Sequence, residues 1–413
     1  MKVVHLSTFD IRGGAAIAAE RLVRALIDDG VDASLLVLQR EGKSTCVHAL
    51  EQATPLRARV QFYREIWASF RRNGLKRDST LFARSYPIAG FNVTNSPLVQ
   101  EADIIHLHWI NQGFLSIRSL EDLVALRKPV VWTMHDMWPV TAVAHHCKDV
   151  NAWTQRNPQS LEYRIGQSKQ RLYRELKPYF VGCSEWIARE AAKSILAKEC
   201  RVTHIVNAAD TEHFRLVDQK QARQKLGLPE TDPIILFGAA NAQDPRKGYA
   251  QLIETFHFLR HSEEQLPYAV VFGKADERVL RNDLEGFDLR VAGYVKDPVE
   301  MNLYYAAADL FLTPSLEENL PNTIIEAQLA GTPTVAFAVG GIPEIIDLPE
   351  AGKTVPLFDC RALADAVAEV LSQRNNLCRT QLHKHALERY SAGGVADSYR
   401  RLYDSLLHLD SAS

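Results

Sequence analysis

Short apolar runs alternate with helical patterns along most of this 413-residue chain, and they do so in two successive series. That alternation constrains the fold more than any other feature. Buried strands separated by helix-length segments pair in parallel, because a parallel pair needs a crossover, and the helices then cover both faces of the sheet. The first series reads as strands over Val3 to Ser7, Val31 to Leu38, Ala102 to Trp109, Pro129 to Met134, Tyr179 to Cys183 and Val202 to Val206. Helical patterns lie between them, over Ala15 to Asp29, Leu115 to Leu126, about Glu162 to Lys177, and from a Ser184 cap to about Leu196. A second series of strands opens at Ile234 to Phe237. It continues through Ala269 to Phe272, Leu289 to Val291, Leu310 to Thr313 and Thr334 to Val339. Two α/β domains are expected, residues 1–206 and 207–392. A last helix, within 393–413, carries Val395, Tyr399, Leu402, Tyr403 and Leu406 at helical spacing, and the first domain could supply the surface that buries them.

Composition narrows the class. Hydrophobic residues make up 46%, enough for two ordinary cores, and a formal net charge of -2 gives no case for nucleic acid as partner. Six scattered cysteines without a CxxC pair fit a reducing compartment and argue against a disulfide framework or a structural zinc site. MKVVHLSTFD enters a strand pattern directly, so no signal peptide is expected, and no apolar run reaches bilayer length. The expectation is a cytoplasmic protein, soluble or peripheral on the inner face of the membrane.

The most informative stretch runs from Pro314 to Gly341. It holds Glu318 and Glu326 on either side of a helix start marked by Asn319, Pro321 and Asn322. Proline suits the first helical turn, and either asparagine could cap it. Gly331 and Pro333 end the helix. A helix N-terminus presents free amides and positive dipole to phosphate, while flanking carboxylates accept bonds from sugar hydroxyls. A diphosphate with a hydroxyl-rich group at each end, a nucleotide sugar, is the implied ligand. Two glutamates alone could equally decorate a helix start.

Other candidates lie where strands end. Gly13 and Gly14 turn the first strand into a helix, allowing close backbone approach, although the same pair also serves a bare turn. The pattern is not GxGxxG, so dinucleotide binding is poorly supported. His135 and Asp136, with Trp138, stand at the carboxyl end of a strong strand, where open parallel sheets bind ligands. Asp136 could instead cap the following turn. His106 and His108 share one strand face and read as satisfied core or cleft histidines, since no acid or cysteine completes a metal set. His145, His146 and Cys147 likewise lack a second cluster. Arg246, Lys247 and Gly248 open a helix after a strand, where a fixed cation can neutralise a leaving diphosphate. Between Arg57 and Arg84, basic residues interleave with Phe62, Tyr63, Trp67 and Phe70. That segment reads as a core-packed helix with a basic face, or as an amphipathic helix on anionic membrane.

Together these residues resemble the retaining glycosyltransferases of GT-B fold, family 4, over nearly the whole chain. The resemblance rests on Glu318 and Glu326 as an E-x7-E pair inside P-S-x-x-E … E-A-x-x-x-G-x-P, after a Lys247-Gly248 loop and a Gly293-Tyr294 segment. The GGAA turn, the His135-Asp136-Met137-Trp138 strand end and Asn207…Asp210…Phe214 also match. The first and His-Asp-Met-Trp segments look most like bacterial exopolysaccharide transferases of the colanic-acid type. The resemblance implies two Rossmann-like domains facing a cleft, a final helix returning to the first domain, and no cofactor beyond the nucleoside diphosphate sugar. It implies that Glu318 contacts the transferred sugar with His135 nearby, and that Glu326 binds the ribose hydroxyls. Lys247 and Arg246 would meet the diphosphate, helped by the amides of Asn319 and Leu320. Tyr294 and Val295 would hold the base. Gly13, Gly14, Asp136 and Trp138 would lie toward the acceptor, with Gly14 also near the phosphate.

The chain departs from the family pattern at Asn241, where an arginine is common, at Asn319-Leu320-Pro321, where glycine-phenylalanine-glycine is usual, and at Ala208. The expected activity is metal-independent transfer of a hexose to a hydroxyl of a glycan or polyprenyl-linked glycan. A non-catalytic nucleotide-sugar-binding partner in an assembly complex is the alternative these departures motivate. An NAD-linked oxidoreductase and a nucleotide-sugar epimerase or hydrolase are further readings of the same alternation.

Overall fold

The computed structural model describes residues 1–72, 83–262 and 265–410. The chain forms two compact units, Met1–Ala208 with Ala392–Ser413, and Ala209–Ser391.

The first unit is built on seven parallel strands: β1 (Lys2–Phe9), β2 (Asp32–Gln39), β3 (Val47–Ala49), β4 (Ile104–Leu107), β5 (Val130–Met134), β6 (Tyr179–Gly182) and β7 (Val202–His204). Their order is β3-β2-β1-β4-β5-β6-β7. The order reverses between β1 and β4, which is where ligands bind in sheets of this kind. Side chains alternate between two cores. Val4, Leu6, Ile105, Leu107, Trp132 and Met134 enter one, and Val3, Leu35, Val37, Ile104 and Val131 enter the other. The near-continuous apolar runs thus reflect burial on both faces. The terminal helix Ala392–Asp410 lies on the second face, where Val395, Ala396, Tyr399 and Tyr403 are buried with Ala19, Leu22 and Val23 of helix Gly14–Asp28. Each large apolar side chain so buried contributes about 1.5–3 kcal/mol, whereas the half-exposed Arg400–Asp29 pair at 2.8 Å adds under about 1 kcal/mol.

Residues 41–100 are more regular than their sequence suggests. Besides the short β3 they contain helix Pro55–Arg72 and helix Pro97–Glu101. The first packs because Glu65 is buried and accepts the Gly113 amide at 2.7 Å. A Cβ on Gly113 would sit 2.6 Å from the Phe62 nitrogen, so only glycine permits this approach. The aromatics of this helix divide: Phe62 and Phe70 are half-buried, while Tyr63 and Trp67 are exposed. Lys76, Arg77 and Asp78 of the basic segment lie outside the described residues.

The second unit carries six parallel strands: β8 (Ile234–Asn241), β9 (Tyr268–Lys274), β10 (Leu289–Gly293), β11 (Leu310–Thr313), β12 (Thr334–Phe337) and β13 (Gly352–Val355). Their order, β10-β9-β8-β11-β12-β13, reverses between β8 and β11. β8 runs four residues further than its apolar stretch, through Gly238 to Asn241, because Gly238 leaves room for Phe272; a Cβ there would meet its ring at 2.4 Å. At the opposite end, buried Arg223 pairs with Asp309 at 2.7 Å and collects the carbonyls of Ala307, Glu230 and Asp232. Arg379 does the same for Ala306 and Ala308. The alanine carbonyls among these are ones that the end of helix Pro298–Ala307 leaves unpaired.

Candidate functional site

In the second unit, the carboxyl ends of β8 and β11 bring Lys247 and Glu318 together. Lys247 Nζ pairs with Glu318 Oε1, both half-buried. Two glycines with left-handed backbone hold this geometry. Gly248 has φ +74, and a Cβ on it would lie 1.7 Å from the Pro314 carbonyl oxygen. Gly340 has φ +57, and its Cβ would lie 1.7 Å from the Glu318 carbonyl oxygen. The Gly341 amide donates to the Asn319 carbonyl at 2.8 Å, and the Leu316 amide to the Arg246 carbonyl at 2.9 Å. The loop that carries Glu318 is therefore clamped on both sides by backbone, which fixes its carboxylate relative to the lysine. The end of the Pro314 to Gly341 stretch, just past the strand expected over Thr334 to Val339, is half of the clamp.

The helix that follows spans Asn322–Leu329. Its N-cap is Pro321, one position before the first turn, and the cap residue makes no side-chain bond. Proline was expected inside the first turn with an asparagine as cap; instead Asn322 opens the helix, and Asn319 and Leu320 are buried. Glu326 sits half-buried in the second turn. Arg246 is exposed and pairs with Asp244 at 3.0 Å, while Asp244 also caps the turn by accepting the Arg246 amide at 2.9 Å. Asn241 accepts the Gln243 amide with its side chain. At the end of β10, Gly293 turns with φ +71, Tyr294 is exposed beneath the Lys274 ammonium at 5.9 Å, and Val295 is half-buried.

In the first unit, Gly13 has φ +86 and is exposed with Gly14 at the N-terminus of helix Gly14–Asp28. That end has no side-chain cap and no acid in its first turn, so its dipole is not neutralised locally. The turn is anchored by buried Asp10, whose carboxylate accepts the amides of Glu41 at 3.0 Å and Gly42 at 2.7 Å.

Histidines within β1 and β4 and just after β4 and β5 form a stack. His5 and His106 are paired in register across β1 and β4. Ring centroids are 4.5 Å apart for His5 and His106, 4.4 Å for His106 and His108, and 5.4 Å for His108 and His135. His5 Nδ1 and His108 Nε2 are 2.9 Å apart, and His108 Nδ1 and His135 Nε2 are 3.1 Å apart. His106 bonds Tyr403 Oη at 2.6 Å and Thr133 Oγ1 at 2.8 Å, and Thr133 bonds Tyr399 Oη at 2.8 Å. The last helix thus braces the layer beneath His135. Burial lowers all four rings, His5 to about 3, His135 to about 4, and His106 and His108 well below the ordinary value, so they stand neutral. The reading of His106 and His108 as satisfied histidines agrees with this. His5 was missed; its signal was a histidine at the same depth in the strand that pairs with β4.

His5, His106 and His108 place one nitrogen each within 4.8 Å of the others, the one potential metal-holding group among the described residues. Their rings are stacked, with interplanar angles of 20–37°, so the lone pairs lie in roughly parallel planes instead of converging, and His106 is already bonded at both nitrogens. The arrangement is that of a hydrogen-bonded stack.

Asp136 is half-buried and bonds Trp109 Nε1 at 3.0 Å, the Trp138 amide at 2.8 Å and His145 Nδ1 at 2.7 Å. Burial works against its charge, yet His145 and the Trp138 amide hold the carboxyl below the usual range. Its role as cap of the following turn is the one these bonds display. Trp138, expected toward an acceptor, is 1% exposed. Its ring lies against Lys169 Nζ at 3.3 Å and its indole N–H donates to the Ser85 carbonyl, so the side chain belongs to the core. Apart from these residues, a cavity of about 450 Å³ in the first unit is lined by Arg84, His146, Trp153 and Arg156 among others, and contains none of the expected site residues.

Comparison with known proteins gives this geometry a class. Residues 12–213 match the family model described as Glycosyltransferase Family 4, and residues 232–373 match Glycosyl transferases group 1. The chain is 24% identical over 310 residues to a phosphatidyl-myo-inositol mannosyltransferase of Mycobacterium leprae, covering 74% of each chain. It is 31% identical over 215 residues to D-inositol 3-phosphate glycosyltransferase 1 of Catenulispora acidiphila, covering 49% of this chain and 50% of that one. Among solved structures it is similar to Anabaena Alr3699/HepE in complex with UDP, with TM-score 0.64 and 17% identity over 98% of this chain and 100% of that one. It is also similar to sucrose-phosphate synthase from Thermosynechococcus elongatus, with TM-score 0.67 and 19% identity over 100% of both chains. The fold is the expected GT-B type, two Rossmann-like α/β domains, and the two family matches support a glycosyltransferase of the family-4 type.

Proposed function

We propose that this chain transfers a hexose from a nucleoside diphosphate sugar to a hydroxyl of a glycan or lipid-linked glycan, with retention and without a metal. The observation that carries the reading is the clamped Lys247–Glu318 pair beside the helix start at Pro321. An ammonium aimed at the leaving diphosphate stabilises charge that grows in the transition state, and a carboxylate held against it accepts sugar hydroxyls. In this reading Glu326 takes the ribose, Tyr294 and Val295 the base, and His135 contacts the sugar. Arg246 would have to exchange Asp244 for phosphate. Alr3699/HepE has been solved with UDP and with UDP-glucose, which favours a uridine donor here. The acceptor belongs to bacterial surface polysaccharide synthesis in this reading. The names of the inositol-specific relatives favour a second one, an inositol phosphate or its lipid.

A thermal-shift panel of nucleoside diphosphates and their sugars tests the donor, since ligands of the folded state raise its melting temperature. UDP or GDP should raise it; no shift with any nucleoside diphosphate overturns the assignment. Glu318→Ala should lower turnover by about a hundredfold while the fold persists. Transfer or donor hydrolysis by the isolated chain excludes the non-catalytic alternative.

We also propose peripheral binding to anionic membrane on the cytoplasmic side. Helix Pro55–Arg72 exposes Leu56, Val60, Tyr63 and Trp67 along one face, interleaved with Arg57, Arg59, Arg64 and Arg71 and with no acid among them. No described helix is long and apolar enough to cross a membrane. Vesicles with anionic lipid should retain the protein and lose it when Arg64 and Arg71 become glutamate, each cation contributing about 1 kcal/mol. Equal retention by neutral vesicles would reject the reading.

A further inference from the structure

The hydrogen bonds of the histidine stack form a chain with a direction. Each neutral imidazole has one N–H and one lone pair. His5 Nδ1 faces His108 Nε2 at 2.9 Å, and His108 Nδ1 faces His135 Nε2 at 3.1 Å, so one choice at His5 sets the other two rings. His5 is fully buried, and its outer nitrogen, Nε2, has no hydrogen-bond partner. If that nitrogen carried the proton, an N–H would be buried unpaired, the rarer and costlier defect in proteins. If Nδ1 carries it, His5 donates to His108, His108 donates to His135 Nε2, and the proton of His135 then sits on Nδ1. Thr133 and Tyr403 bond His106, the ring stacked beside this chain, and Tyr399 bonds Thr133 in turn, so the three hold the pile without joining it.

We propose that His5 and His108 are positioning residues that fix the tautomer of His135, so that the ring presents a neutral Nδ1–H donor at the carboxyl end of β5. The inference deepens the proposed transfer reaction and rests on His135 facing the donor sugar. Such a ring serves a sugar or phosphate oxygen as acceptor; it neither takes a proton from the acceptor hydroxyl nor adds positive charge. The selection is made by a residue on β1, two rings away.

The test reads the proton directly. The full chain is labelled with 15N in its histidine rings, and long-range proton–nitrogen correlation at pH 8 identifies the protonated nitrogen of His135, assigned by the signal lost in His135→Gln. The wild type should show Nδ1 protonated and Nε2 bare. His5→Asn keeps an amide donor toward His108 and should preserve that pattern. His5→Asp offers only acceptors and should reverse the chain, placing the proton of His135 on Nε2. Protonated Nε2 in the wild type overturns the proposal, as does an identical tautomer in folded Asn and Asp variants. Should the aspartate variant fail to fold, the wild-type and His5→Asn spectra still decide. No sugar donor is present, so failure of the Glu318 experiment leaves this result standing, and the reverse holds equally.

Discussion

The buried stack makes the first unit acid-labile, and the size of the effect follows from its protonation. His5, His106, His108 and His135 are neutral in the folded chain because burial lowers them. In the unfolded chain each returns to an ordinary value near 6.5. A group depressed by folding contributes stability that is fully present above its unfolded value and is lost as pH falls toward its folded value. The window for His5 therefore runs from about 6.5 down to about 3, and for His135 from about 6.5 down to about 4. At pH 5, about 1.5 units below the unfolded value, each ring has cost about 2 kcal/mol. The two together cost about 4 kcal/mol, with His106 and His108 adding in the same direction, against the 5–15 kcal/mol that typically separates folded from unfolded. Asp136 is held low and adds only below the usual carboxylate range, while burial raises Glu65, which opposes the trend. All six tryptophans lie in the first unit, so their emission reports its unfolding alone. Urea titrations followed by tryptophan emission should lose at least about 4 kcal/mol between pH 8 and pH 5. His5→Gln should remove roughly one proton from the linkage. Stability that stays flat across that range would refute neutral burial of the stack.

Other perturbations separate the remaining parts. Gly340→Ala should destabilise the second unit by about 2 kcal/mol or more and weaken nucleotide binding, because the added carbon collides with the Glu318 carbonyl. Gly293→Ala, with nothing within 4 Å of the new atom, should cost only about 1 kcal/mol in calorimetry. Arg223→Met should cost about 3 kcal/mol by leaving buried Asp309 without its cation, and Asp309→Leu in the same chain should recover part of it. Tyr403→Phe removes the hydroxyl that bonds His106 and should cost about 1–2 kcal/mol by tryptophan emission. Lys247→Ala should weaken UDP binding in calorimetry with little change in unfolding, since Lys247 is half-buried and, among the described residues, its side chain is tied to Glu318 alone.

Strand periodicity made the two sheets legible because both faces of each are buried, and Leu310–Thr313 is recovered residue for residue. Short elements escaped where apolar runs were too brief to show a period, as in Val47–Ala49 and Gly352–Val355. Within the candidate site, Lys247 and Glu318 were legible because charged residues at strand ends stand out against apolar surroundings. The cap of the Asn322 helix was not, since proline and asparagine all suit a helix start and only backbone angles distinguish their positions.

What sequence patterns display is the chemistry-bearing side chain; what they hide is the residue that fixes it. Gly340 lies far along the chain from Glu318, and its role exists only because its missing side chain admits a carbonyl oxygen. His5 acts on His135 through His108, across two strand pairings that no local window contains. Trp138 shows the converse: a tryptophan at a strand end looks like a ligand platform, but the buried Lys169 beneath it, donating to the Trp138 and Thr141 carbonyls, commits it to the core. Replacing a supporting residue therefore tests function differently from replacing the group it supports. Gly340→Ala leaves both Lys247 and Glu318 in place and disturbs only their geometry. If nucleotide binding survives that displacement, the charges suffice on their own; if it falls with them intact, the clamp is part of the site.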